Sequence, residues 1–213
     1  MKPKNNNNED DKKQKKENIN LMDLQIPQGP APMRSLGLFG NLDEEKVEDV
    51  CSGLLYLKHT AITKDVLNPK EDESEPKPIN FYVSTWGGDA LGMFGIYDLM
   101  RVTRETCPIH TFGLGKVMSA GVLLLAAGTK GQRKVGKHTR IMMHSVRGGH
   151  IGNIHSLENE MNETRYLQNQ HIEALVEETK LTKRKLNNML SKKVDVYIGA
   201  EEAIKMGIAD IIV

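Results

Sequence analysis

Three times along this chain a short apolar run ends in glycine or small residues and hands over to a segment with helical spacing. Ile79-Asn80-Phe81-Tyr82-Val83 passes through Ser84-Thr85-Trp86-Gly87-Gly88 into a helix from about Asp89, with Met93, Ile96 and Met100 along it. Ile109 to Phe112 is followed by a turn at Gly113 to Lys116 and by a short buried helix from Ser119 to Ala127, closed by Gly128. Ile141-Met142-Met143-His144 leads through Gly148-Gly149 into a long helix from about Ile154 to Thr179. Strands of period two alternating with helices of period 3.6 require crossover connections and a largely parallel sheet, so the fold class is α/β.

The flanks fit one folded domain with appendages, as 213 residues imply. Residues 1–34 carry an asparagine run, mixed charges and Pro27, Pro30 and Pro32, a composition that cannot offset its own ordering entropy, and read as a disordered polar tail. The domain then spans 35–213. It opens with a short strand, Ser35 to Phe39, and a helix carrying Val47, Val50, Leu54 and Leu57, for which Asn41 with Glu44 offers a capping pair. The acidic, proline-containing stretch at 60–78 reads as an exposed loop. After the long helix come a shorter one beyond Thr182, a helix from Glu201 to Met206 and a strand from Ile208 to Val213.

Composition excludes several function classes. The 29 Lys and Arg nearly balance the 28 Asp and Glu, so no net field favours nucleic acid or an anionic membrane. Cys51 and Cys107 are too few for a disulfide framework and have no metal-ligand spacing, so no metal site is expected. The longest apolar runs, such as Val122 to Ala127, fall far short of the roughly 20 residues of a membrane span. Residues 1–20 hold no signal-peptide core, and the chain reads as a cytoplasmic protein.

Three side chains sit where strands meet loops and could together support acyl transfer. Ser119 starts a small-residue helix, His144 ends an apolar strand, and Asp195 lies between Val194 and Val196. A hydroxyl attacks a carbonyl efficiently when a base takes its proton and a carboxylate holds that base in one tautomer. Taken singly, each has an ordinary reading: a serine at a helix start is far more often a cap, a strand-end histidine is usually structural, and an aspartate between valines caps a turn. The surroundings of Ser119 are not Gly-x-Ser-x-Gly, since Val117 holds the first glycine position, so a nucleophile elbow is a poor description.

The combination is more specific. Gly87-Gly88 after a strand, Met118-Ser119-Ala120-Gly121 before Leu124-Leu125-Ala126-Ala127-Gly128, Met142-Met143-His144 before Gly148-Gly149, and Asp195 five residues before Ala200-Glu201-Glu202-Ala203 occur in one order. From Leu36 to Val213 this resembles the proteolytic subunit of the ATP-dependent Clp protease. The resemblance implies a crotonase-like α/β fold of repeated ββα units with a handle region at about 146–180. It implies a serine endopeptidase with Ser119 as nucleophile, His144 as base and Asp195 orienting the base. The oxyanion would be held by the backbone N–H groups of Gly88 and Ala120, and substrate by Gly87, Arg147, Gly148 and Gly149. It also implies self-association into stacked rings, an AAA+ unfoldase as partner, unfolded proteins as substrates and no cofactor in this subunit, ATP being used by the unfoldase. Departures from the family pattern are Trp86 and Val146 in place of prolines, Arg147 beside the cleft and Val194 before the aspartate. Alternatives left open are a catalytically silent ring subunit, a phage-type head-maturation peptidase and an acyl-CoA hydratase of the same architecture.

Overall fold

The computed structural model of the chain describes residues 33–62, 77–191 and 194–213. The expected tail, apart from its last two residues, and most of the 60–78 loop lie outside the described residues. In chain order the elements are β1 (Ser35–Leu42), α1 (Glu44–Ile62), β2 (Ile79–Gly88), α2 (Ala90–Arg104), β3 (Ile109–Met118), α3 (Ala120–Ala126), β4 (Arg133–Val135), β5 (Arg140–Met143), α4 (Ile154–Glu178), α5 (Lys183–Leu190), β6 (Val196–Ile198), α6 (Ala200–Met206) and β7 (Ile211–Ile212). The sheet runs β1-β2-β3-β4-β7, with every pair on this path parallel.

Strand β3 has two neighbours on the side away from β2. Its first half, Thr111 to Gly113, pairs with β4, and its last residues, Lys116 to Met118, pair with β5. Strand β5 in turn pairs antiparallel with β6. This division peels β5 and β6 away from the main sheet at the point where β3 ends, and so brings three chain ends together.

Alternation along the strands sorts the two faces. Ile79, Phe81 and Val83 of β2, with Leu38, Ile109 and Val117, are fully buried against Leu54 of α1, Ile96 and Met100 of α2 and Leu123, Leu124 and Leu125 of α3. The opposite face carries Tyr82 stacked on Phe112 at 4.7 Å, with Lys134 over the Phe112 ring and Lys116 over Trp86. A buried carboxylate, Glu178 at the end of α4, ties this helix to the body through Arg104 and Lys130, and Tyr97 donates to it.

Several local expectations need correction. Asn41 belongs to β1, and α1 is capped instead by Asp43, whose carboxylate accepts from Lys46 N–H at 3.0 Å. Helix α1 continues through Ile62, past the expected start of the loop. The turn expected at Gly113 to Lys116 is strand: Gly115 takes φ +65° and the pairing with β2 slips by a bulge, which bends the chain without ending it. The last strand is only Ile211–Ile212. The short strands β4 and β6 carry too few residues for an alternation signal and were not foreseen.

Candidate active site

Ser119 is the junction between β3 and α3, and its backbone is strained. It has φ 53° and ψ −118°, the only positive φ outside glycine among the described residues. Such a conformation costs of order 1–3 kcal/mol and persists where the surroundings enforce it. The serine occupies the N-cap position of α3 yet its hydroxyl makes no capping bond, so the common reading of a helix-starting serine fails here. The sharp strand-to-helix turn is the geometry of a nucleophile elbow, although the sequence pattern is not Gly-x-Ser-x-Gly.

One glycine that makes room for this turn, Gly121, holds the second glycine position of that motif, and the other, Gly87, comes from the end of β2. A Cβ on Gly87 would stand 2.6 Å from Ser119 Cβ and 3.1 Å from its Oγ, and one on Gly121 would stand 2.5 Å from Thr85 Cγ2. Gly87 itself has φ +89°. Its N–H is held by Thr85 Oγ1 at 3.0 Å, and Thr85 donates to the carbonyl of Gly40 at 2.6 Å, which ties the Gly-Gly end of β2 to β1. Gly88 packs against the Leu42 backbone, where a Cβ would meet the carbonyl oxygen at 2.0 Å.

Strand pairing brings the other two residues to this corner. The N–H of Ser119 donates to the carbonyl of Met142 at 2.8 Å, two residues before His144. Across the antiparallel pair, Ile141, Met142 and Met143 face Ile198, Tyr197 and Val196, and one further step of the same register sets His144 opposite Asp195. Three strand ends therefore deliver a serine, a histidine and an aspartate to one edge of the sheet.

The side chains are not joined as a hydrogen-bonded triad. His144 Nδ1 lies 2.5 Å from the carbonyl of its neighbour Ser145. A carbonyl only accepts, so Nδ1 carries a proton, and in the neutral ring Nε2 is then the basic nitrogen, the tautomer a general base needs. Asp195 is ion-paired with Arg147 instead of His144. The side chain of Arg147 is two-thirds exposed (66%) against 31% for Asp195, so the pair sits at the rim. Arg147, expected to line the cleft, thus spends its charge on the carboxylate. Gly148 and Gly149 line a cavity of about 260 Å³ against α4 at Leu157, Glu160, Met161 and Thr164, a cavity that none of Ser119, His144 and Asp195 lines.

Two residues of α4 at this corner were missed from the sequence. Gln168 Oε1 accepts the N–H of Val146 at 2.6 Å, and His171 is buried with 6% exposure. Burial, and then the nearby charge of His144, push the His171 pKa down to about 4, so its ring is neutral near pH 7. A signal was present: His171 shares its helix face with Ile172, Leu175 and Glu178, so a polar ring falls on the buried stripe. Among the described residues there is no group of three or more His, Cys, Asp or Glu that could hold a metal ion, and no helix is long and apolar enough to cross a membrane.

Comparison with known proteins gives the chain's relatives. A family model described as Clp protease matches residues 31–213. The ATP-dependent Clp protease proteolytic subunit 4 of Rhodococcus jostii is 31% identical over 188 residues, covering 88% of this chain and 94% of the relative. Proteolytic subunit 2 of Chlamydia trachomatis serovar D is 30% identical over 177 residues, covering 78% and 85%. Proteolytic subunit 1 of Prochlorococcus marinus is 32% identical over 179 residues, covering 79% and 89%.

Proposed function

The chain belongs to the Clp protease family, and from that premise we propose that it is a serine endopeptidase, the proteolytic subunit of an ATP-dependent Clp-type protease. The observation that carries the reading is Ser119: a strained, uncapped serine at the end of β3, tied by its own N–H to the strand that ends in His144. A strained backbone at a polar residue is retained where the strain serves a site.

In this mechanism Ser119 Oγ attacks the scissile carbonyl while His144 Nε2 takes its proton. Asp195 steadies the imidazolium once His144 Nδ1–H turns from the Ser145 carbonyl towards it. The N–H groups of Gly88 and Ala120 face the developing oxyanion, each contributing roughly 3 kcal/mol if placed as in other acyl-transfer sites. His144 then protonates the leaving amine, and water, deprotonated by the same base, releases the acyl group from Ser119. An extended peptide adding as a strand along Arg147 to Gly149 is recognised mainly through its main chain, so unfolded proteins of varied sequence are accepted.

Assembly into stacked rings is supported by surface that one subunit leaves uncovered. Ile154, Leu157 and Met161 recur on one side of α4 and are all exposed, with Ile151 just before them. The second face of a largely parallel sheet is normally covered, whereas here Phe39 and Trp86 stand exposed on it. We assign the first surface to a second copy and place the working assembly in the cytoplasm, fed by an AAA+ unfoldase. The silent-subunit, head-maturation and acyl-CoA readings are not favoured, since the relatives are proteolytic subunits and Ser119, His144 and Asp195 are all present.

The test is labelling by a fluorophosphonate probe, combined with hydrolysis of an unstructured peptide and native mass. Labelling and hydrolysis that vanish in Ser119→Ala and His144→Ala, with assembly kept, are expected. Hydrolysis retained by Ser119→Ala overturns the assignment.

A further inference from the structure

The peptide unit joining Ser145 to Val146 has both polar ends engaged. Its carbonyl accepts from His144 Nδ1 at 2.5 Å, and its N–H donates to Gln168 Oε1 at 2.6 Å. The C=O and N–H of a trans peptide point to opposite sides, so Gln168 stands on the side facing away from the His144 bond. This peptide holds the base in its present orientation and occupies the nitrogen that Asp195 would need.

Helix α4 contributes more to this corner than one acceptor. Three buried side-chain polar atoms lack a hydrogen-bond partner among the described residues, and two of them are Gln168 Nε2 and His171 Nε2, the third being Thr103 Oγ1. The two residues are three apart in α4 and therefore share a face. His171 lies near enough to His144 for the charge of one to act on the other. Leaving one such atom unsatisfied carries a free-energy penalty, and keeping two together calls for a reason. Gln168 Nε2 is a donor, and His171 Nε2 is one in the appropriate tautomer. What this corner lacks is an acceptor, and the Ser145 carbonyl becomes one if the peptide rotates.

We propose that Gln168 and His171 are positioning residues for His144, which take the Ser145 carbonyl when the Ser145–Val146 peptide rotates and so release Nδ1–H to Asp195. The rotation gives up the bond from Val146 N–H to Gln168 Oε1, satisfies the two donors of α4 and exchanges the carbonyl partner of His144 for a carboxylate that the strand register already sets opposite it. The inference rests on the catalytic reading given above. It adds that the aligned base is secured from the long helix as well as from Asp195. His144, Arg147, Asp195 and His171 are ionisable groups at this corner, and in the resting arrangement Arg147 holds Oδ1 of Asp195.

The test uses the full chain in the assembly it forms. Fluorophosphonate labelling rate, kcat and KM on an unstructured peptide, thermal unfolding and native mass are measured for the wild type, Gln168→Glu, His171→Met and His171→Gln. Gln168→Glu keeps the acceptor for Val146 N–H and removes the donor, so it leaves the resting contact in place. Gln168→Glu and His171→Met are expected to slow labelling and lower kcat about tenfold or more with KM within about twofold, while His171→Gln, which restores a donor, stays within about threefold of wild type. Variants that label and turn over like the wild type overturn the proposal, as does a His171→Gln that falls as far as His171→Met. If His171→Met does not fold, Gln168→Glu decides. A wild type that does not label overturns the catalytic reading and this inference with it, whereas a labelled wild type with unaffected variants overturns this inference alone.

Discussion

Arg147 holds the carboxylate of Asp195, the residue that strand register sets opposite His144. The guanidinium and the imidazole compete for one partner, and the contest takes place at the rim, where solvent and salt weaken the ion pair. Arg147→Met is therefore expected to raise the rate of fluorophosphonate labelling of Ser119 by about fivefold at low salt, with the gap to wild type narrowing as salt is added. A slower Arg147→Met protein would show that Arg147 assists the site instead of restraining it.

Ser119 stores strain that glycine would not feel. Ser119→Gly and Ser119→Ala both remove the nucleophile, but only glycine tolerates φ 53° freely. Ser119→Gly should be more stable than Ser119→Ala by about 1 kcal/mol in denaturant titrations. Equal stabilities would mean that the turn relaxes once the hydroxyl is gone.

Gly87 leaves no space for a side chain on the serine side. A methyl group there meets Ser119 Cβ at 2.6 Å and must sit on a backbone with φ +89°. Gly87→Ala should lower kcat/KM for peptide hydrolysis by about a hundredfold, since displacing a nucleophile by an ångström already costs that much. Hydrolysis within a few-fold of wild type would place the reacting groups elsewhere.

Glu178 is buried among Arg104, Lys130 and Tyr97. Burial works against its charge, yet hydrogen bonds and attraction from Arg104 and Lys130 outweigh it and hold the carboxyl below its ordinary pKa, while burial and Glu178 push Tyr97 up to about 12. Glu178→Gln leaves Arg104 largely buried without its counter-charge and should destabilise the chain by about 3 kcal/mol, read as a lower denaturant midpoint. A loss below the error of the titration would show that solvent reaches this cluster.

His171 titrates near 6.5 when unfolded and near 4 when folded, so between those values the unfolded chain binds the extra proton. Stability should rise with pH across that window and fall as pH drops from about 6.5 towards 4, by on the order of 3 kcal/mol in all. Denaturant titrations at several pH values should show a shallower slope in His171→Gln. An unchanged slope would assign the loss to carboxylates, whose effect lies lower in pH.

Residue pattern alone was enough for the α/β class and for the helices α2 and α4, and it placed Ser119, His144 and Asp195 where strands meet loops, while their roles came only from the family resemblance. The glycine pairs and apolar runs that mark them are local signals, and local signals depend only on nearby residues. The capping reading of Ser119 came from its place at a helix start, and the structure departs from it: the hydroxyl makes no capping bond and φ is 53°, a value that no neighbouring residue type announces. The same blindness applied to the elbow: the space around Ser119 comes from Gly87, on another strand, as well as from Gly121.

What the sequence determined by itself is the periodicity of its elements and the chemistry available at their ends, because side-chain spacing and turn residues act over a few positions. Which of those ends meet was decided by the tertiary structure. The division of β3 between β4 and β5, the step of register that sets His144 against Asp195, the capture of that carboxylate by Arg147 and the approach of Gln168 and His171 from α4 all join residues far apart in the chain. Such contacts are fixed by the packing of the whole core, and a hydrogen bond goes to whichever partner that packing brings within reach.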